Sequence, residues 1–197
     1  MKKFITFEGL DGCGKTTQAL LLKEHFEKLG EIVLSIREPG TTPLGEVLRD
    51  AVLKKNIEIN PAAEALLFAS ARAQLNDILK ENYSKKIIIC DRYLDSSIAY
   101  QSFGRGLDLE FVKKINEFAY IKPDVTFFID IEPKACIKRF STIDKISEID
   151  RIEKENINFY NSVYEGYKQL AKEEKRIITI DGSKTIDCIH LEILSYL

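Results

Sequence analysis

Three glycines, a lysine and a threonine fall within eight residues near the start of the chain, Gly9-Leu10-Asp11-Gly12-Cys13-Gly14-Lys15-Thr16, at the spacing G-x-x-x-x-G-K-[ST]. Glycines so placed let backbone N–H groups converge on phosphate oxygens, and a helix opening directly after them adds its partial positive charge. In such a loop Lys15 reaches the β and γ phosphates of a nucleotide, the Thr16 hydroxyl is offered to Mg²⁺, and Thr17 closes the run. Two arginines extend the phosphate chemistry: Arg37 in REPGTTPLGE and Arg92 in DRYLDSS. A guanidinium grips phosphate through two parallel hydrogen bonds. The competing reading for each is a structural pair, with Glu38 or Asp91. A phosphate acceptor is already largely ionised near neutral pH and needs no general base. That suits a chain with only two histidines, His25 and His190, each inside a helical pattern.

A fourth basic residue sits oddly. PAAEALLFASARAQLNDILKE reads as a helix opening at Pro61, with Leu67, Ala71, Leu75, Ile78 and Leu79 on its buried side. Phe68, Glu64 and Arg72 fall on that side too, whereas Asn76, Asp77 and Lys80 face the other way. Phe68 and Arg72 are four residues apart, one above the other. Alone, this pattern favours an arginine snorkelling from the stripe's edge or pairing with Glu64.

These groups need a frame. Five short apolar runs read as strands buried on both faces: Phe4 to Phe7, Ile32 to Ile36, Ile87 to Cys90, Val125 to Ile129 and Ile177 to Ile180. Helical patterns lie near 16–29, 43–55, 61–81, 109–120, 133–140, 152–174 and 185–196. The expected fold is α/β, a five-stranded parallel sheet with helices on both faces. Ligands in such folds bind at the carboxyl ends of the strands. Every run here ends in charge or glycine: Glu8, Arg37-Glu38, Asp91-Arg92, Asp130 and Asp181-Gly182. The stretch RFSTIDKISEIDRIE, 139 to 153, is dense in charge and reads as a solvated connection or a flap.

Bulk properties narrow the class. With 197 residues, 45% hydrophobic and 30% charged, the chain suits one domain with a full core. Its net charge of -2 speaks against nucleic acid as main partner. No apolar run approaches the roughly 20 residues of a membrane span. Cys13, Cys90, Cys136 and Cys188 are far apart, which fits reduced thiols rather than a metal cluster or disulfide framework. No asparagine is followed by lysine, so the guanine signature Asn-Lys-x-Asp is missing, and the length argues against a motor. What survives is a kinase of a small acceptor, with a non-catalytic nucleotide switch as the rival.

FEGLDGCGKTTQ, REPGTTPLGE, LLFASARAQ and DRYLDSSIAYQ, in that order, resemble the thymidylate kinase family of P-loop nucleoside monophosphate kinases; DRIE at 150 to 153 and IDGS at 180 to 183 extend the likeness to nearly the whole chain. The resemblance implies transfer of the γ-phosphoryl of Mg·ATP to dTMP, giving dTDP for dTTP synthesis, in a cytoplasmic homodimer. It places Phe68 on the thymine ring, Arg72 on its exocyclic oxygen, Arg37 and Arg92 on the dTMP phosphate, and Asp11 on the 3′-hydroxyl. Ser97 corresponds to a polar position facing the base; Tyr100 crowds the sugar 2′ position, with Gln101 beside it. Glu8 and Asp91 are candidates for the outer Mg²⁺ shell. The charged stretch becomes a lid over ATP. The P-loop carries no basic side chain between Asp11 and Lys15, so the lid should supply the transition-state cation: Arg151 first, then Arg139 or Lys145. Thr41 departs from the family, which usually has a second glycine there.

Overall fold

The computed structural model describes residues 4–54, 57–117, 121–141 and 150–197, excepting the side chains of 140 and 141. Five strands form one parallel sheet: β1 Phe4–Glu8, β2 Val33–Arg37, β3 Ile87–Asp91, β4 Val125–Asp130 and β5 Ile177–Asp181, in the order β2-β3-β1-β4-β5. Every residue of β1 is buried, and because successive side chains point to opposite faces, the sheet is covered on both. Each strand ends one residue later than its apolar run. The ladder continues through the charged position, pairing Arg37 with Asp91, Glu8 with Phe128, and Asp130 with Asp181. The chain leaves β1 towards β2 at one edge and leaves β3 towards β4 on the opposite side. The carboxyl ends of these two neighbours therefore open a crevice.

The helices are α1 Lys15–Lys28, α2 Pro43–Leu53, α3 Pro61–Asn82, α4 Leu94–Ser97, α5 Leu109–Lys114, α6 Pro133–Ser141, α7 Ile157–Glu173 and α8 Ile186–Leu194. Their starts follow local chemistry. Thr42, Asn60, Asn156 and Thr185 each accept a backbone N–H of the first turn, and Pro43 and Pro61 occupy first helical positions. The cap at Asn156 moves the start of α7 five residues beyond the expected 152, so DRIE is a turn. Helix α5 ends sooner than the expected 109–120; residues 118–120 lie outside the described set.

One element carries no sequence signature. A π-helical segment, Ile98–Gly104, continues directly from α4, and Ile98, Ala99, Tyr100 and Gln101 are all buried. An element buried on most sides loses the one-face periodicity by which helices are recognised. Such bulges commonly mark functional sites. The segment interlocks with α7 through two glycines. A Cβ on Gly166 would lie 2.8 Å from the Phe103 ring, and one on Gly104 would lie 2.7 Å from Phe159. Gly166→Ala should therefore destabilise the protein by about 1–3 kcal/mol, read as a lower urea midpoint with unchanged slope. An unaltered midpoint would show that the two elements are not closely fitted.

Candidate active site

The loop after β1 holds its glycines in left-handed backbone, with φ of 140° at Gly9, 80° at Gly12 and 103° at Gly14. At Gly9 a Cβ would lie 2.8 Å from the Ile129 carbonyl oxygen, so the crown closes only over glycine. Lys15 begins α1, is buried, and donates from Nζ to the Leu10 carbonyl at 2.8 Å. Thr16 donates its hydroxyl to Asp91 Oδ2 at 2.5 Å. Asp91 therefore stands directly behind the hydroxyl that the loop offers to a metal.

Glu8 does not stand there, and its expected outer-shell role is corrected. Its carboxylate is fully buried under the turn after β3, accepting hydrogen bonds from Tyr93 N, the Ser96 hydroxyl and the Tyr167 hydroxyl. Burial, reinforced by the Asp95 charge, raises its pKa from 4.5 to about 7 against the opposing pull of Ser96, Arg92 and Tyr93 N. The folded state thus holds this proton more tightly than the unfolded chain. The resulting stabilisation is complete below pH about 4.5 and is lost as pH rises towards 7. Stability should fall across that window in the wild type, and Glu8→Gln should flatten the slope, as measured by urea titration at successive pH values. An equal slope in both proteins would rule Glu8 out as its source.

Beside the loop, α3, the β3–α4 turn, the π-helical segment and residues 150 and 152 line an open cleft. Phe68, Arg72, Ser97, Tyr100 and Gln101 line it. Asp11 and Arg92, which join it to the P-loop, line it too, as do Arg49 and Asp150, which sequence reading missed. Arg92 adopts φ 68°, a left-handed backbone that a non-glycine residue keeps only when its surroundings hold it. They do: its guanidinium donates to the Gly9 carbonyl, Ser96, Tyr167, Asp11 and Tyr100. Burial alone would raise the pKa of Asp11; Arg92, Lys15 and a hydrogen bond from Tyr100 outweigh it and hold that carboxyl at about 2.

Arg72 is buried, and its partner is neither water nor Glu64. Its Nε and Nη2 bind Glu38 Oε2 at 2.7 and 2.6 Å, Nη1 donates to Ser97 Oγ and Asn116 Oδ1, and Nη2 reaches the Tyr93 carbonyl. Four of these contacts are hydrogen bonds, and the Nη2–Glu38 approach completes the ion pair. The arginine frames the cleft with most of its donors already engaged. Asn76, expected on the watery side of α3, is buried as well.

Arg37 does not line this cleft. It pairs with Glu46 at 3.0 Å and borders a neighbouring depression with Thr16 and Asp91. Thr41 has φ 69°, which explains the glycine usual at this position; its hydroxyl accepts from Arg37 N and donates to the Arg37 carbonyl, offsetting the strain. Arg139 borders a third groove, on the far side of the P-loop, with Thr17, Gly182 and Lys184. Arg151 contacts no P-loop residue: Nη2 meets Glu64 Oε2 at 2.5 Å and Nε meets the Val52 carbonyl. In this conformation it braces the turn at residues 151–154 and is not placed as the transition-state cation, because the buried Glu64 carboxylate demands counter-charge. Lys145 lies outside the described residues. All four cysteines are free thiols, and among the described residues no group of three His, Cys, Asp or Glu could hold a metal. No described helix is long and apolar enough to cross a membrane.

Comparison with known proteins agrees with this geometry. The thymidylate kinase family model matches residues 7–193. A thymidylate kinase of Thermoanaerobacter sp. (strain X514) is 47% identical, covering 98% of this chain and 95% of its own. One from Caldanaerobacter subterraneus subsp. tengcongensis is 46% identical, over 95% and 91% respectively. The crystal structure of thymidylate kinase from Ehrlichia chaffeensis superposes with a TM-score of 0.81 at 32% identity, covering 99% of this chain and 98% of that one. With the phosphate loop and the adjoining cleft meeting at one sheet edge and the family match running over residues 7–193, this chain belongs to the thymidylate kinase family, and it is a kinase that phosphorylates dTMP in nucleotide synthesis.

Proposed function

We propose that the whole chain works as one kinase domain transferring the γ-phosphoryl of Mg·ATP to dTMP, with the P-loop holding the donor and the Phe68–Arg92 cleft holding the acceptor. The observation that carries this division is the shared wall. Arg92 lines the acceptor cleft while binding the Gly9 carbonyl and Asp11 of the phosphate loop, so the two sites meet at one guanidinium.

Donor phosphates would lie on the backbone N–H groups of residues 9 to 17 and on Lys15, with the adenosine in the groove bordered by Arg139 and Gly182. Hard oxygen donors suit magnesium, and the Thr16 hydroxyl with the Asp91 carboxylate behind it fits that ion. When bound, it neutralises charge on the β and γ phosphates. The chain's own task is to align two polyanions, because the acceptor oxygen arrives ionised. Arg92, with Arg49 beside it and Arg37 reoriented from Glu46, supplies that alignment. Asp11, ionised at every working pH, accepts the sugar 3′-hydroxyl, and Tyr100 crowds the 2′ position.

The base would stack on Phe68, with Arg72 and Ser97 along its edge. Gln101 donates Nε2 to Glu64, which leaves its carbonyl oxygen as the end available to the thymine N3–H. The segment 139–153 acts as the lid, with Arg139, Lys145 and Arg151 its cations; Arg151 would have to leave Glu64 to serve the transition state. The enzyme would work in the cytoplasm. Exposed Leu44 and Val47 on α2 and Leu66 on the adjoining α3 support a homodimer built on those helices.

Steady-state turnover of dTMP, dUMP, dCMP, dGMP and thymidine tests the assignment. Fastest turnover is expected on dTMP, and a better substrate among the others would overturn it. ATP hydrolysis indifferent to dTMP would identify a nucleotide switch instead.

A further inference from the structure

Behind the cleft wall one carboxylate gathers three hydrogen bonds and a further ion-pair contact. Glu64 on α3 is 1% exposed. Its Oε1 accepts from Gln101 Nε2 at 3.0 Å and from Arg105 Nε at 3.1 Å. Its Oε2 meets Arg151 Nη2 at 2.5 Å and Arg105 Nη2 at 3.1 Å. The partners come from three places: Gln101 from the π-helical segment, Arg105 from its end, and Arg151 from the turn at residues 151–154. Gln101 alone of them lines the acceptor cleft.

A glutamine amide has a donor end and an acceptor end of nearly the same shape, and only its neighbours decide which points where. An ionised carboxylate accepts and never donates, so Glu64 can take only the NH₂ end of Gln101. The carbonyl end is then the one presented to the base. Thymine offers N3–H, a donor, at that edge; cytosine offers a bare nitrogen, an acceptor, and would meet oxygen against lone pair.

We propose that Glu64 is the positioning residue that sets base specificity, by locking the Gln101 amide with its carbonyl towards the acceptor cleft. The proposal rests on the reading that the Phe68–Arg72 cleft takes the base. Glu64 touches no substrate and acts only through Gln101. Arg151 and Arg105 share that carboxylate, and their charges hold Glu64 ionised and oriented. Arg105 is itself stacked on Phe159 at 4.6 Å and paired with Glu155.

The test compares kcat/KM for dTMP and dCMP in the intact enzyme and in Glu64→Gln. The amide introduced by that change can accept or donate, so the Gln101 amide is free to turn. The dTMP-over-dCMP preference is expected to fall at least about tenfold, chiefly through KM. Some preference should persist, because Arg72 still disfavours the cytosine amino group. If Glu64→Gln does not fold, Glu64→Asp keeps the charge for both arginines while drawing the carboxylate back from Gln101, and a reduced preference is expected there too. A folded variant that loses activity on both substrates by the same factor, or that keeps the wild-type preference, overturns the proposal. Gln101→Leu separates the underlying reading: if dTMP preference survives that change, the cleft assignment has failed and the proposal falls with it.

Discussion

Lys15→Ala should leave a folded protein whose kcat for dTMP phosphorylation is lower by about 10²–10³-fold, the usual loss when one preorganised donor is removed from developing charge. The lysine belongs to the loop's architecture as well as its chemistry. Its Nζ is buried and bound to the Leu10 carbonyl, so it is aimed across the crown and not out to solvent. Removing it leaves that carbonyl with one partner fewer and costs about 1 kcal/mol or somewhat more in stability. That is small beside the loss in turnover. An assay coupled to ADP release, run alongside a urea titration, measures both quantities on the same preparation. A kcat within a few-fold of wild type, with the fold intact, would show that the donor phosphates do not lie in the loop. Electrostatic logic also predicts that the KM for dTMP changes little, because Lys15 is not among the residues lining the acceptor cleft.

Arg72→Ala should be costly twice over, and the two costs can be separated. Structurally, it strands the buried Glu38 carboxylate, whose pKa is already pushed up by burial and restrained only by this arginine. Removing one partner of such a pair is expected to cost about 3–5 kcal/mol. Functionally, it removes the cation from the cleft wall and should raise the KM for dTMP while leaving that for ATP nearly unchanged. Pairing Arg72→Met with Glu38→Met removes both charges together. Exchanging a buried ion pair for apolar residues of similar size is often neutral, so much of the stability should return. Acceptor binding should not return. If the double variant regains both stability and dTMP affinity, the arginine is structural and the base is read elsewhere.

The residues most plainly readable from the chain are those whose chemistry is local. The P-loop depends on glycines within eight positions, the strands on continuous apolar runs, and the helix starts on caps such as Thr42, Asn60 and Thr185. Phe68 and Arg72 stand together because helical spacing alone puts them there. The cleft residues Phe68, Arg72, Ser97, Tyr100 and Gln101 follow from a resemblance, and the fold brings all five to one cavity. What escapes is everything that depends on pairing at long range. Glu8 looks available because it ends β1 beside the phosphate loop, but Tyr93, Ser96 and Tyr167, 85 or more positions away, enclose it. The π-helical segment is invisible because burial on most sides erases periodicity. Arg49 gives no signal either, since an arginine on an amphipathic helix looks like any solvated one.

The sequence by itself determined the sheet, the phosphate loop and the family, since these rest on spacing within a few residues or on motifs in a set order. Which carboxylate each arginine meets was decided only by the tertiary structure: Arg72 with Glu38, Arg92 with Asp11, Arg151 with Glu64. The physical reason is that every arginine offers the same five donors wherever it stands in the chain. Its role is set by the buried acceptors within about 3 Å of it, and only the folding of distant segments brings those there.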